Sequence, residues 1–477
     1  MRNTRRANCS GERRRIPTAS LALSLFCLLI PSAAVDARAA LSDLTLCAKK
    51  TVAGGKKGES DLRFLSDTSV AYCDIEELQT RAFAKIGSPA NETIIEHQRQ
   101  WLKQKGFPDS AIAWSRTTRL QEPLSFILLK MKTNRIEQII RDQWGGLKIW
   151  PALGTLPIFS PNAETVYLND AHQPALLVSS TLMGFLDDVI EDLAASIPIR
   201  RDADGVLLSD DQNAIVAEAA KHPQIAHNLE CSIAIFLGGQ PLGPKGESGW
   251  CPKPTLDDAH THLAQQVTLG AELFLVAHEY GHIIDGDIIE GLPTASTSNE
   301  ISVSPRFKWV FFNWKQELMA DYWGWDLMIK ATTPSEQKMA DWGPDILFTI
   351  LDYLNRAIYL ARTGTDKYDP ATPEQHQAVD LLNQWEYHGP PDKQTKMTDQ
   401  ELSRLTGHPP NSFRRAIVRD YNMKSRGSVG RVDVGDSFLK AFEASWPTVK
   451  QMILNNRDEI KKCLSQQADL WGIVSED

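Results

Sequence analysis

The chain has 477 residues, with 51 Lys and Arg against 60 Asp and Glu and a formal net charge of −9. Such an acidic chain lacks the basic stripe of a nucleic-acid binder and has no electrostatic reason to seek an anionic membrane surface. Its 42% hydrophobic and 23% charged residues are those of a globular protein, long enough for two or three structural units with a real core.

Residues 1–39 read as a signal peptide. Arg2, Arg5, Arg6, Arg13, Arg14 and Arg15 form a basic opening and Leu21 to Ile30 an apolar core, with Ser32-Ala33-Ala34 or Ala37-Arg38-Ala39 as the cleavage site. A secreted or periplasmic protein is therefore expected. Removing this segment takes away seven Arg and two acids, and the formal charge moves from −9 to −14. No later segment has eighteen uncharged apolar residues in a row, so no integral membrane segment is expected in the mature chain. Export permits disulfides among Cys47, Cys73, Cys231, Cys251 and Cys463. Sequence spacing suits Cys47 with Cys73 and Cys231 with Cys251, leaving Cys463 free or paired elsewhere, and the connectivity stays open.

Residues 40–150 read mainly as helices, including Cys73 to Lys85, Glu92 to Lys105 and Arg135 to Trp144, and carry no evident chemistry. From Ile149 to Leu168 the pattern is strand-like, then Ala175 to Ala195 predicts a long helix and Ser232 to Leu237 a short apolar strand. A polar loop, Gly286 to Pro305, is a candidate cover for a cleft. From Thr332 onward helices dominate: Pro344 to Arg362, Pro373 to Trp385, Ser412 to Tyr421 and Asp436 to Gln467. The fold class expected is mainly α with a small β-sheet.

The chemistry lies between these segments. His278, Glu279 and His282 spell His-Glu-x-x-His inside an apolar run in which Leu269, Leu273, Val276, Ala277, Tyr280 and Ile284 recur at helical spacing, as on the metal-binding helix of a zinc hydrolase. Residues four apart project from one face of a helix, so the two imidazoles can hold one ion while Glu279, on the flank, can reach a water beside it. Thirty-five residues after His282, Glu317 and Asp321 are also four apart, amid Phe311, Phe312, Trp314, Tyr322, Trp323 and Trp325. A lone Glu-x-x-x-Asp is usually a solvated acidic face; these aromatic neighbours point to a buried helix, on which Glu317 is a third ligand and Asp321 a partner for the far nitrogen of a ligand histidine. His260 and His262 make a competing His-x-His pair, but Asp257 or Asp258 reads as the N-cap of the same helix. On a continuous helix the eighteen residues from His260 to His278 span about 27 Å, too far to share an ion.

On these residues the chain resembles the gluzincin metallopeptidases, and within them it is most similar to the CAAX-prenyl-protease and heat-shock-protease family. Gly407-His408-Pro409-Pro410-Asn411-Ser412-Phe413-Arg414-Arg415 is similar to that family's late His-Pro segment. The resemblance covers roughly residues 150 to 420, and this chain lacks the transmembrane helices of the family's membrane-embedded members. It implies a zincin-like catalytic core over 151–330, an N-terminal helical region over 40–150 and a C-terminal helical region over 331–477 that completes the cleft. It implies one Zn2+ held by His278, His282 and Glu317, Glu279 as general base, Asp321 behind a ligand histidine, and His408 and Arg414 beside the cleft as oxyanion or substrate contacts. Ser232 to Leu237, followed by Gly238-Gly239, is then either a core strand or the sheet edge that holds an extended substrate. The expected function is hydrolysis of a protein or peptide substrate. A non-catalytic zinc-stabilised binding protein and a zinc amidase acting on a non-protein amide, such as a cell-wall cross-link, are the alternatives, and oligomeric state is open.

Overall fold

The computed structural model describes residues 67–85, 92–157, 163–168, 173–202, 205–208, 211–221, 224–238, 253–285, 305–388, 408–426 and 434–465. The expected signal peptide, Cys47, Cys251, Gly239, Gly407 and the loop at 286–304 lie outside them. The chain is mainly α with a small β-sheet, and no described helix is long and apolar enough to cross a membrane. It divides into two compact units, one of residues 1–192, 227–254 and 455–477, the other of residues 193–226 and 255–454.

The first unit opens with helices α1 (Asp67–Lys85), α2 (Glu92–Gln104), α3 (Asp109–Trp114) and α4 (Pro123–Trp144). Its three-stranded sheet has the order β1 (Ala152–Leu156), β3 (Pro174–Ser179), β2 (Ala163–Tyr167), with β3 parallel to β1 and antiparallel to β2. Ala71, Ile75, Leu78 and Ala82 of α1 pack on Ala152 and Leu156 of β1 and on Leu177 of β3. The buried amides of Gln79 and Gln121 are satisfied on the carbonyl and hydroxyl of Thr155. Here two expectations are corrected. Pro174–Ser179 is a strand, and the helix after it, α5 (Leu182–Ala194), is shorter than predicted: every residue of β3 is buried, so the strand shows no alternation and reads as one apolar run with the helix behind it. Ser232 to Leu237 is no strand but the end of helix α7 (Gln224–Gly238), where Ile225, Leu229, Ile233 and Phe236 are buried at helical spacing. The proposed substrate-holding edge at those residues falls with it.

Cys73, Cys231 and Cys463 are each disulfide-bonded, so of the two outcomes left open for Cys463, free or paired elsewhere, it is paired. On α5, Asp187, Asp188 and Glu191 converge closely enough to hold a cation, and Lys253 already stands among them at 3.3, 3.0 and 2.9 Å.

The second unit contains the hairpin β4 (Ile199–Asp202) and β5 (Gly205–Leu208), helix α6 (Gln212–Lys221), and then α8 (Asp258–Asp285), α9 (Pro305–Ala331), α10 (Pro334–Ala340), α11 (Gly343–Thr363), α12 (Pro373–His388), α13 (Asn411–Arg426) and α14 (Val434–Asn455). The helix expected to run on to Gln467 stops at Asn455, and helix resumes over 457–465. Asp257 caps α8 by accepting from the amides of Ala259 and His260. From Val267 to Gly281 α8 is buried on nearly all sides, as a helix at the centre of a helical unit must be. α9 turns Val310, Phe311 and Trp314 toward Ala378, Leu381 and Leu382 of α12. Phe348 of α11 meets Phe274 of α8 edge-on at 5.6 Å. Trp325 donates to Asn422, which in turn donates to the carbonyl of Asp341, tying α13 to α9 and to the start of α11.

Candidate metal centre

The site is built where α8 and α9 touch backbone to backbone. A Cβ on Gly324 would stand 3.0 Å from the amide nitrogen of His278, and one on Gly281 would stand 2.8 Å from the Cα of Ala320, so the helices run antiparallel at a distance only glycine permits. At that distance one glutamate spans both histidines. Glu317 Oε2 lies 3.5 Å from Nε2 of His278, and Oε1 lies 3.6 Å from Nε2 of His282. The two rings are 4.8 Å apart, centroid to centroid, and nearly perpendicular.

These three side chains fit a metal. Ligand atoms of His278, His282 and Glu317 all lie within 4.8 Å of one another. Two donors about 2.1 Å from one tetrahedral ion are about 3.4 Å apart, close to both measured edges. Glu317 Oε2 is buried and makes no hydrogen bond; Arg414 Nη1 and His278 Nε2 stand 3.4 and 3.5 Å from it, beyond good hydrogen-bond length, so it keeps lone pairs that an ion could take.

Behind the ligands stands a second layer. Asp321 is fully buried, and its Oδ1 lies 3.0 Å from Nδ1 of His278. This contact puts the proton on Nδ1 and turns Nε2 toward Glu317. Arg414 grips the same carboxylate with two hydrogen bonds, Nε to Oδ2 at 2.8 Å and Nη2 to Oδ1 at 2.6 Å, while its guanidinium lies over the ring of Phe348 at 4.7 Å. Its Nη1 is 3.4 Å from Glu317 Oε2. Arg414 is buried and engaged by two carboxylates, Asp321 and Glu317.

Burial opposes every charge here, and mutual pairing overcomes it. Burial pulls the His278 imidazole down, but Asp321 and Glu317 push its pKa up to about 10. Burial likewise works against Glu317 and Asp321, yet His408 and Arg414 hold Glu317 well below the usual carboxylate range, and Arg414 holds Asp321 below it. Glu279 is buried and helps to raise the pKa of Arg414, so it stands within electrostatic reach of the cluster. His408 precedes Pro409-Pro410 at the start of α13. It is 67% exposed, with Nδ1 3.0 Å from Glu317 Oε1, and that carboxylate raises its pKa.

Six of the expected residues, His278, His282, Glu317, Asp321, His408 and Arg414, thus stand together, and Glu279 is next in sequence to His278 and acts electrostatically on Arg414. His260 does not join them: it is held by the Asp257 carboxylate and the carbonyl of Ile197. Phe348, beneath Arg414, was not nominated; a phenylalanine in an apolar helix carries no signal that separates it from core. Comparison of the chain with models of protein families, with curated proteins and with solved structures finds no match.

Proposed function

We propose that the chain is an exported zinc-dependent peptidase in which His278, His282 and Glu317 hold the ion and Glu279 is the general base. The observation that carries this reading is the convergence of two imidazoles and a buried carboxylate, one oxygen of which makes no hydrogen bond, with a glutamate next in sequence to the first histidine. Zinc, when bound, supplies the Lewis acidity that polarises a scissile carbonyl and acidifies a water. Glu279 then takes the proton of the attacking water at its carboxylate and passes it to the leaving amine. Asp321 keeps the His278 ring in one tautomer, and Arg414 keeps Asp321 ionised and in place. His408, exposed at the edge of the cluster, would donate to an oxyanion, as the resemblance implies. Disulfides at Cys73, Cys231 and Cys463 agree with an oxidising compartment, as does the basic and apolar start of the chain.

The test is zinc content together with cleavage of casein or a peptide library, for wild type and Glu279→Gln. Retained zinc with lost cleavage supports the proposal; unchanged cleavage by a zinc-replete Glu279→Gln protein would falsify it. The alternative, a closed zinc site that only staples the fold, needs a fourth protein ligand; it requires a wild type that holds zinc and cleaves nothing.

A further inference from the structure

A second buried carboxylate, one helix away from the metal centre, governs how α13 is seated. Asp345 lies in the first turn of α11 and is fully buried. Its Oδ1 accepts from Nε of Arg415, and its Oδ2 accepts from Nε of Arg419 at 2.7 Å. Arg419 also reaches Asp436 at the start of α14, with Nη2 2.7 Å from Oδ1. The packing is tight on the far side too, since a Cβ on Gly435 would overlap Asp345 Oδ2. Arg415 and Arg419 are four apart and so share one face of α13, while Arg414, next in sequence to Arg415, projects about 100° round the helix toward Asp321.

We infer that Asp345 is a positioning residue for the metal centre: by fixing Arg415 and Arg419 it sets the rotation of α13, and through that rotation the placement of Arg414 on Asp321 and of Asp321 on His278. This rests on the metal-centre reading above. The lever is short. A guanidinium roughly 6 Å from its helix axis moves about 1 Å when the helix turns by about 10°, and 1 Å is enough to break the two hydrogen bonds that hold Asp321. The same first turns of α11 also bring Phe348 under Arg414, so the rotation of α13 and the seat of the guanidinium are set from one helix.

The experiment compares wild type, Asp345→Asn, Arg414→Lys and the double variant as full-length chains loaded with Co2+, reading the visible d–d spectrum and peptide turnover. Asparagine keeps the shape of Asp345 and removes the charge that draws in two arginines. The expected result is that Asp345→Asn still binds one cobalt, shows the same spectral shift as Arg414→Lys, and loses turnover about ten- to hundredfold with KM within about twofold of wild type. The double variant should be no worse than Arg414→Lys alone, because both changes act through one contact. An unshifted spectrum in Asp345→Asn, or losses that multiply in the double variant, overturns the inference. Should Asp345→Asn fail to fold, Arg419→Gln removes half of the clamp at a partly exposed side chain, and the same spectral comparison decides. The spectrum does not depend on cleavage, so a wild type that binds cobalt but cuts nothing sinks the peptidase reading and leaves this test in force. A wild type that binds no cobalt sinks both.

Discussion

Asp321 Oδ1 stands 3.0 Å from Nδ1 of His278, and the same oxygen receives a hydrogen bond of 2.6 Å from Nη2 of Arg414. One buried carboxylate therefore joins the His278 imidazole to a guanidinium, and the behaviour of the proposed metal site should follow from how that carboxylate is treated.

Asp321→Asn keeps the side-chain shape but removes the charge that orients His278. Zinc affinity should fall about ten- to hundredfold, measured by competition with a chromogenic chelator. Affinity equal to wild type would mean that His278 is oriented by something else.

Arg414→Met removes the fork and leaves Asp321 buried without its cation. A cost of about 3–5 kcal/mol is expected from urea unfolding of the zinc-depleted protein, because both partners lie inside. Arg414→Met with Asp321→Asn should recover much of that loss. If the single variant unfolds at the wild-type midpoint, the pair does not matter to stability.

In protein stripped of metal, His278 has a folded pKa of about 10 against an ordinary 6.5. The raised value means that its charged form stabilises the fold. That contribution is complete below about pH 6.5 and disappears as pH rises through 10. The gap in unfolding free energy between wild type and His278→Gln should therefore shrink over that window, as denaturant titrations at several pH values would reveal. A gap that widens with pH contradicts the pairing with Asp321 and Glu317.

Gly324→Ala tests the close approach of the two helices. The new methyl would meet the backbone of His278 at 3.0 and 3.1 Å, and overpacking of this kind costs about 1–3 kcal/mol. Zinc affinity should drop along with thermal stability. A variant with the wild-type melting temperature and full zinc loading would show that the helices have slack to give.

The cluster was legible in the sequence because a candidate metal site needs few residue types at few spacings. His278, His282 and the Glu317–Asp321 pair sit four apart, a spacing that only a helix makes useful. The strand at Pro174–Ser179 and the helical end of Gln224–Gly238 were not legible, since both are short, largely apolar runs and neither shows its period over six residues. Arg414 was found by its neighbours Pro409 and Pro410, yet nothing in the sequence says that it faces Asp321 rather than a substrate. Asp345, Arg415 and Arg419 look like ordinary helical charges until three helices are folded together.

The contact of Gly281 with Ala320, and of Gly324 with His278, carries a consequence for how such a site can vary. The separation of ligand-bearing helices is set here by side chains that are missing, not by the thirty-four residues that separate His282 from Glu317 in sequence. Insertions or deletions between the two helices would leave the reach from Glu317 to both imidazoles unchanged, whereas a single methyl group at either glycine would alter it. The dimensions of the candidate site are written in two positions that have no chemistry of their own.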